Sequence, residues 1–571
     1  MSKKQMSKKR ILIIGGVAAG MKAASRLRRL DSCSEIIVVE RSQRFSYGAC
    51  ALPYFVEGLF DELDEVRQTP VGVTRDELFF ECVKGIEVLS GCEALEIDRR
   101  QQRVLVRCLD SQGSEYLRYD NLVLATGSRP ILPALPGVEL DGVLPLKTMD
   151  DAERIDRLAA TARHAVVVGA GLIGLEMAEA LRARGLSVTL LELQEQVLPG
   201  VVDADLAGLA ARELGKNGVE LRLNEGLIRL EGEAGRVCRV LTKNGSYPAE
   251  LVIMAVGVRP ATELAAAAGL ALGKSGGILV DPRMQTSDPL IFAAGDCVEV
   301  VQLQTGELLH LPLGSTANRQ GRVLADRLGG SNDLFPGVLG TLIIKLFDQS
   351  IARTGLSAHA AEAAGYAVES ILISAPDRVH SYPGMKPVVI RLIAERGTRR
   401  LLGAQMTGPG EIAGRLNVIV SLLSLKGTVD DLARLDLAYA PPFATAMDPL
   451  HQAANALRNK LDGLVASYSP LEFQQRRQAL QPLVLLDVRS AAEAEQVRIP
   501  GATLIPLGQL RDRLHELPLD REIVPFCKLS LRGYEAAQIL LAAGFNKVRY
   551  LEGGVVAWPY ALESGSGQQV A

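Results

Sequence analysis

Two isolated cysteines carry the chemistry this sequence can be read for. Cys50 sits in Phe45-Ser46-Tyr47-Gly48-Ala49-Cys50-Ala51-Leu52-Pro53-Tyr54, shortly after a glycine-rich turn. Cys527 sits near the other end, in Phe526-Cys527-Lys528-Leu529-Ser530-Leu531-Arg532-Gly533. The reactive form of either is the thiolate, which cationic neighbours and helix ends favour. Position 55, five after Cys50, is Phe, and no second thiol lies nearby in sequence. Cys50 must therefore pair with something outside its own loop, as a mixed disulfide, a persulfide or a sulfenic acid.

The other cysteines give no such signal. The eight in the chain include no CxxC pair, so neither a zinc site nor a disulfide framework is expected. Cys33, Cys82, Cys92, Cys108, Cys238 and Cys297 read as buried apolar residues or plain thiols. No metal is expected.

Two nucleotide-binding layouts occur in the chain, one just before Cys50 and one between the two reactive thiols. The first is the strand Ile11-Leu12-Ile13-Ile14, the turn Gly15-Gly16-Val17-Ala18-Ala19-Gly20, a helical stretch to Leu30, and the strand Ile36-Ile37-Val38-Val39-Glu40. Strand, glycine turn, helix and a strand ending in an acid form the dinucleotide-binding pattern. Gly15 permits the tight turn and Gly20 close packing of helix on strand. Glu40, followed by Arg41, can bond ribose hydroxyls. Val17 replaces the usual middle glycine. The second layout is complete: Ala165-Val166-Val167-Val168, then Gly169-Ala170-Gly171-Leu172-Ile173-Gly174, a helix to Arg184, and Ser187-Val188-Thr189-Leu190-Leu191-Glu192. N–H groups at such a helix start hold a pyrophosphate. Glu192 suits a free 2′-hydroxyl and repels a 2′-phosphate, which favours NADH over NADPH. Further strand-end motifs are Ala125-Thr126-Gly127-Ser128-Arg129-Pro130, its echo Ala255-Val256-Gly257-Val258-Arg259-Pro260, and Ile291-Phe292-Ala293-Ala294-Gly295-Asp296.

Bulk properties fit a multi-domain globular protein. At roughly 150 residues per domain, 571 residues predict three or four domains. With 48% hydrophobic and 23% charged residues, wholesale disorder is excluded. A net charge of -3 gives no reason to expect nucleic acid as a partner. No apolar run is long enough for a membrane span. The basic start, Met1 to Arg10, reads as a short tail before the first strand rather than a signal peptide, so a cytoplasmic protein is expected.

From these motifs the chain, over about residues 10 to 460, resembles the flavoprotein disulfide reductases with two dinucleotide domains. The resemblance implies FAD on the first unit, NAD(P)H on the second, and Asp296 at the flavin ribityl and pyrophosphate. Many members carry two cysteines a few residues apart; this chain has one. The run with Ser46, Cys50 and Leu52-Pro53-Tyr54 is similar to that of the CoA-disulfide reductases and their NADH-dependent persulfide-reducing relatives. Those usually have Asn where Ala49 stands here. In this comparison Lys22 and Arg26 are candidates for CoA phosphates. The region 336–462 resembles the family's dimerisation domain, which implies a homodimer in which a partner tyrosine, Tyr382 or Tyr439 in this sequence, reaches the active thiol. Residues 470–563 resemble a rhodanese domain. There the cysteine opens a loop of backbone amides that cradles sulfur or an anion and lowers the thiol pKa. Cys527 to Arg532 spans the six residues associated with sulfur transfer, and Arg532 could neutralise an anionic donor.

The expectation is an α/β chain: two Rossmann-like dinucleotide-binding domains, an α+β dimerisation domain and a C-terminal rhodanese domain. The first dinucleotide domain spans 1–150 and 271–335, and the second 151–270. The expected function is FAD-dependent reduction of CoA persulfide, related persulfides or polysulfide by NADH, with Cys527 loading sulfur. In this division of labour the flavin carries the redox chemistry and the protein supplies position and electrostatics. Rival readings are a CoA-disulfide reductase, an NADH oxidase or peroxidase, and a flavin-based redox sensor or sulfur carrier.

Overall fold

The computed structural model describes residues 9–109, 113–479 and 482–564, with the backbone of 569–570. Residues 1–8 of the basic start lie outside them, and Arg10 already belongs to the first strand. The chain divides into two compact units. One comprises Met1–Gly169, Ala183–Ser187 and Leu227–Val338; the other comprises Ala170–Arg182, Val188–Gly226 and Leu339–Ala571.

The first unit is built on a five-stranded parallel sheet. Its order is Ile291–Ala293, Asn121–Leu124, β1 (Arg10–Ile14), β2 (Glu35–Val39) and Glu87–Leu89. Its inner strands are largely continuous apolar runs, as burial on both faces requires; Leu12, Ile13, Val38 and Leu122 are wholly buried. Between β1 and β2 runs α1 (Ala19–Leu30), its apolar face on the sheet. An antiparallel meander of β3 (Cys92–Asp98), β4 (Arg103–Cys108) and Ser114–Arg118 adjoins β2. The strand β5 (His164–Val168) pairs in parallel with Leu251–Met254, which pairs with Val143–Leu144.

The meander overturns one expectation. Cys92 and Cys108 are neither isolated apolar residues nor plain thiols; they form a disulfide. Sixteen residues separate them in sequence, but the β3–β4 register sets them directly opposite each other. Antiparallel pairing, not motif spacing, creates the pair. Cys33, Cys82 and Cys238 are exposed thiols and Cys297 is a buried one.

The second unit contains α2 (Leu172–Ala183) from Leu172 to Arg182 and a five-stranded antiparallel sheet. The sheet order is Leu342–Leu346, Gln349–Gly355, Leu401–Gly408, Pro387–Glu395 and β6 (Val368–Pro376). A smaller parallel sheet has Leu483–Asp487 between Thr503–Leu504 and β7 (Glu522–Phe526). Its own core packs Phe473, Phe526 and Trp558.

Polar contacts seat this C-terminal domain on β6. The buried Glu552 carboxylate accepts the Leu372 N–H at 2.8 Å, the Ser467 hydroxyl at 2.6 Å and the Lys460 ammonium at 2.9 Å. The Ser374 hydroxyl donates to the Gly553 carbonyl at 2.8 Å. Removing one member of such a buried charged pair costs about 3–5 kcal/mol, because the other is left unpaired. Among the described residues, no helix is long and apolar enough to cross a membrane, and no group of three or more His, Cys, Asp or Glu side chains could hold a metal.

Candidate active sites

Cys50 lies in a single 3-10 turn, Ala49–Ala51, that runs into the short helix Leu52–Glu57. Ser46 fixes the approach to it. It is buried, takes a left-handed φ of 56°, and donates its N–H to the Gly16 carbonyl at 2.8 Å. The active-site loop is thereby anchored to the first glycine turn. The Cys50 side chain is exposed, and it faces the start of α3 (Gly314–Leu328). A Cβ built on Gly314 would sit 3.5 Å from its Sγ. No side chain caps α3 and its first turn has no acid. The positive end of a 15-residue helix therefore bears on the sulfur and favours negative charge there.

The glycine turn beside this loop is built for close approach. Gly15 has φ 107°, and a Cβ there would meet the Ala125 carbonyl oxygen at 2.1 Å. A Cβ on Gly20 would fall 1.9 Å from the Gly15 carbonyl oxygen. Val17 and Ala18 lead into α1, which has neither a side-chain cap nor an acid in its first turn. Its N–H groups are left for an anion such as a pyrophosphate. Glu40 is tied into the same turn, accepting the Gly16 N–H at 2.6 Å and the Ser42 N–H at 2.9 Å. Arg41 is exposed, 3.9 Å from the Glu93 carboxylate.

The second turn repeats the device. Glu192 is buried and accepts the Ala170 N–H at 2.7 Å and the Gln194 N–H at 2.9 Å. Each strand-end acid thus first orders its own turn, with further acceptor lone pairs for a ribose. Gly169 has φ 102° against the Ala255 carbonyl, while a Cβ at Gly171 would meet nothing within 4 Å. That open space is what a diphosphate needs. Leu172, Ile173 and Gly174 form the first turn of α2, which also lacks an acid in that turn. Both turns fit dinucleotides.

Asp296 belongs to a small polar cluster of which sequence reading found only that member. The Ser128 hydroxyl donates to Asp296 Oδ2 at 2.8 Å, and Lys147 Nζ lies 2.8 Å from Ser128 Oγ and 3.2 Å from Asp296 Oδ2. His310 Nε2 lies 2.8 Å from the Asp296 carbonyl. Thr126 and Gly127 brace the neighbouring strand end: the Thr126 hydroxyl donates to the Ala261 carbonyl at 2.6 Å, and the Ala261 N–H to the Gly127 carbonyl at 3.0 Å. Gly257, at φ 108°, accepts the Ile131 N–H at 3.0 Å. Glu176 lies on α2. Burial and the nearby Glu179 carboxylate push its carboxyl up to about 7.

Lys22 and Arg26 share α1, both partly exposed, but only Lys22 keeps an uncommitted role. The Arg26 guanidinium bonds Asp326 of α3 at 2.6 Å. Tyr382 and Tyr439 are both exposed in the single chain.

Cys527 directly follows β7, and its loop leads into α4 (Leu531–Ala542). The loop is closed from above by Gly553-Gly554. A Cβ on Gly554 would lie 2.2 Å from the Leu529 carbonyl oxygen and 2.4 Å from that of Cys527. Ser530 bonds outward, accepting the Gly553 N–H at 3.2 Å and the Ser374 N–H at 3.4 Å. The amides of Leu529, Arg532 and Gly533 and the Arg532 charge all favour the thiolate, as the nest predicts. Burial nonetheless outweighs them and pushes the thiol up, the sulfur residue being only 2% exposed. The expected lowering is corrected to that extent. Arg532 is also not loose: both its terminal nitrogens donate to Glu493, at 2.8 and 2.7 Å.

That fork holds Glu493 down at about 2, from an ordinary 4.5. A carboxyl depressed on folding stabilises the fold above its unfolded pKa and loses that contribution as pH falls through the folded one. Thermal midpoints of the protein are expected to drop between pH 4.5 and 2 more steeply than those of Glu493→Gln. Parallel slopes would refute the coupling.

The chain matches the family model described as pyridine nucleotide-disulphide oxidoreductase over residues 9–321, that family's dimerisation domain over 343–451, and the rhodanese-like domain over 469–560. It is 42% identical to a NAD-dependent persulfide reductase from A. fulgidus, with a TM-score of 0.92, covering 96% of this chain and 100% of that one. The reduced CoADR-RHD of Bacillus anthracis is 35% identical, with a TM-score of 0.88 and coverage of 97% and 98%. The NAD(P)H coenzyme A polysulfide/persulfide reductase of Pyrococcus horikoshii is 38% identical over 79% of this chain and 99% of its own length.

Proposed function

The chain belongs to the pyridine nucleotide-disulphide oxidoreductase family and carries a rhodanese-like domain, and from that premise we propose that it reduces sulfane sulfur with electrons from NADH. The observation that carries the reading is a single thiol, Cys50, set against the uncapped start of α3 and anchored through Ser46 to a dinucleotide turn. The substrate class is CoA persulfide, related low-molecular-weight persulfides or polysulfide, in keeping with the names of the relatives. FAD on the first turn would supply the electron pair, taken from NADH on the second. Glu192 favours NADH over NADPH, and NADH as reductant suits a cytoplasmic enzyme.

In this proposal the Cys50 thiolate attacks the sulfane sulfur of RS–SH. A Cys50 persulfide forms and the thiolate RS⁻ leaves. Two electrons then cleave the new S–S bond, releasing HS⁻ and restoring the Cys50 thiolate. The start of α3 stabilises the anionic sulfur before attack and after cleavage. Lys22 is the residue offered to CoA phosphate, since Arg26 is tied to Asp326. The chain acts as a homodimer, with Tyr382 or Tyr439 brought to the active thiol of the other subunit. Cys527 accepts sulfane sulfur from an anionic donor and passes it on. The domains are proposed with the limits read from the sequence.

Steady-state NADH consumption by the FAD-loaded protein tests the reading. CoA persulfide is expected to exceed CoA disulfide, polysulfide and peroxide in kcat/KM by about tenfold or more. A preference for CoA disulfide would make it a disulfide reductase. Turnover confined to oxygen or peroxide would overturn both.

A further inference from the structure

The Cys92–Cys108 disulfide has no part in either thiol site, yet it is linked to the first dinucleotide turn through Glu40. The two residues face each other across β3 and β4 with Cα atoms 4.1 Å apart. Their N–H groups point away from each other, Cys92 donating to the Glu40 carbonyl at 3.0 Å and Cys108 to that of Gly113 at 3.1 Å. This is the pairing that brings opposed side chains closest. The rest of the ladder, from Glu93–Arg107 to Asp98–Arg103, holds the strands in register independently of the sulfurs. The thiols therefore stay opposed when the bond opens. Cys92 is buried and Cys108 half-buried, so a small sulfur nucleophile or electrophile reaches the pair from Cys108.

Three contacts run from this corner to the loop bearing Glu40 and Arg41. They are the Cys92 bond to the Glu40 carbonyl, the Gly91 N–H to the Ser42 carbonyl at 3.3 Å, and the Glu93 carboxylate beside Arg41. The Leu109 N–H closes the corner on the Gly91 carbonyl at 2.8 Å. Glu40 in turn holds the Gly16 N–H. A covalent tie between the outer ends of β3 and β4 thus stiffens the segment that clamps the glycine turn.

We propose that Cys92–Cys108 is a reversible redox modification site, closed by sulfane sulfur and opened by low-molecular-weight thiols, whose closed form tightens the first dinucleotide site. The choice of oxidant rests on the proposed function. In closure, Cys108 attacks the sulfane sulfur of RS–SH, and RSH leaves. Cys92 then displaces sulfide from the Cys108 persulfide. The sum is RSSH plus two cysteine thiols giving one disulfide, RSH and H2S. In opening, two molecules of thiol are oxidised to their own disulfide as both cysteine thiols are restored.

The test uses the full-length FAD-loaded protein, treated with dithiothreitol and then with polysulfide, alkylated after each step and mapped by mass spectrometry. Cys92 and Cys108 are expected to become alkylated together after dithiothreitol and to be protected together after polysulfide. The same is expected in Cys50→Ser, so the result stands or falls apart from persulfide reduction at Cys50. FAD release on dilution, followed by flavin fluorescence, is expected to be about fivefold or more faster from the open form. Cys92→Ser and Cys108→Ser should release FAD at the fast rate under both treatments. Two thiols alkylated under every condition, a bond that dithiothreitol leaves closed, or equal release rates from both forms would each overturn the proposal.

Discussion

Cys50→Ser is expected to lower NADH-dependent reduction of CoA persulfide by at least about a thousandfold. It should leave the bleaching of bound FAD by NADH, read in a stopped flow at the flavin absorbance, close to that of the unaltered protein. The argument is one of charge and polarisability at a single atom. A serine hydroxyl stays protonated at neutral pH and attacks divalent sulfur poorly, whatever the helix behind it offers. The substitution removes one sulfur and adds no bulk, and the Ser46 bond to Gly16 that positions the loop is made by backbone atoms. Loss of turnover with an intact NADH half-reaction therefore isolates the sulfur step. A variant that still turned over persulfide at a tenth of the normal rate would show that Cys50 is not the attacking atom.

How much of this was legible in the sequence depends on distance along the chain. The two glycine turns announce themselves because every residue that makes them lies within a few positions. Gly15 and Gly20 are required by steric contacts that follow from local geometry alone. Glu40 and Glu192 were visible as strand-end acids, but their grip on the Gly16 and Ala170 N–H groups was not. That grip is a contact between strand end and turn, across 24 and 22 residues. Lys147 and Ser128 were missed beside Asp296 because 149 and 168 residues separate them from it. The Cys92–Cys108 bond was missed for a related reason. Strand register decides it, and a bulge between Ala94 and Glu96 shifts that register by an amount that no alternation in the sequence reveals.

The Cys527 loop shows the limit of composition as a guide to electrostatics. Its run of amides and its arginine were readable and do pull toward the thiolate. The opposing effect is burial of the thiol, which local composition does not reveal; the loop also packs backbone to backbone against Gly553-Gly554, a segment about 26 residues later in the chain. Glycine is needed at 554 because φ is 59° and any Cβ would strike two carbonyl oxygens.

Cys527→Ala is expected to reduce transfer of sulfur from thiosulfate to an acceptor thiol by about a thousandfold or more, measured as sulfide or thiocyanate formed without NADH. Reduction of preformed CoA persulfide at Cys50 should stay within about twofold, since the two thiols belong to separate compact units. The thiol is pushed up by burial while three neighbouring amides and Arg532 counter that cost. A bound persulfide is more acidic than a thiol, so the same donors meet a charge that forms more readily. The cradle is therefore better matched to the loaded cysteine than to the empty one, and loading is where its energy is released. Arg532→Lys should then slow transfer. A lysine keeps the charge but cannot make the two-pronged bond to Glu493 that aims the side chain. Thiosulfate-dependent transfer that survived Cys527→Ala would remove the C-terminal domain from the sulfur pathway altogether.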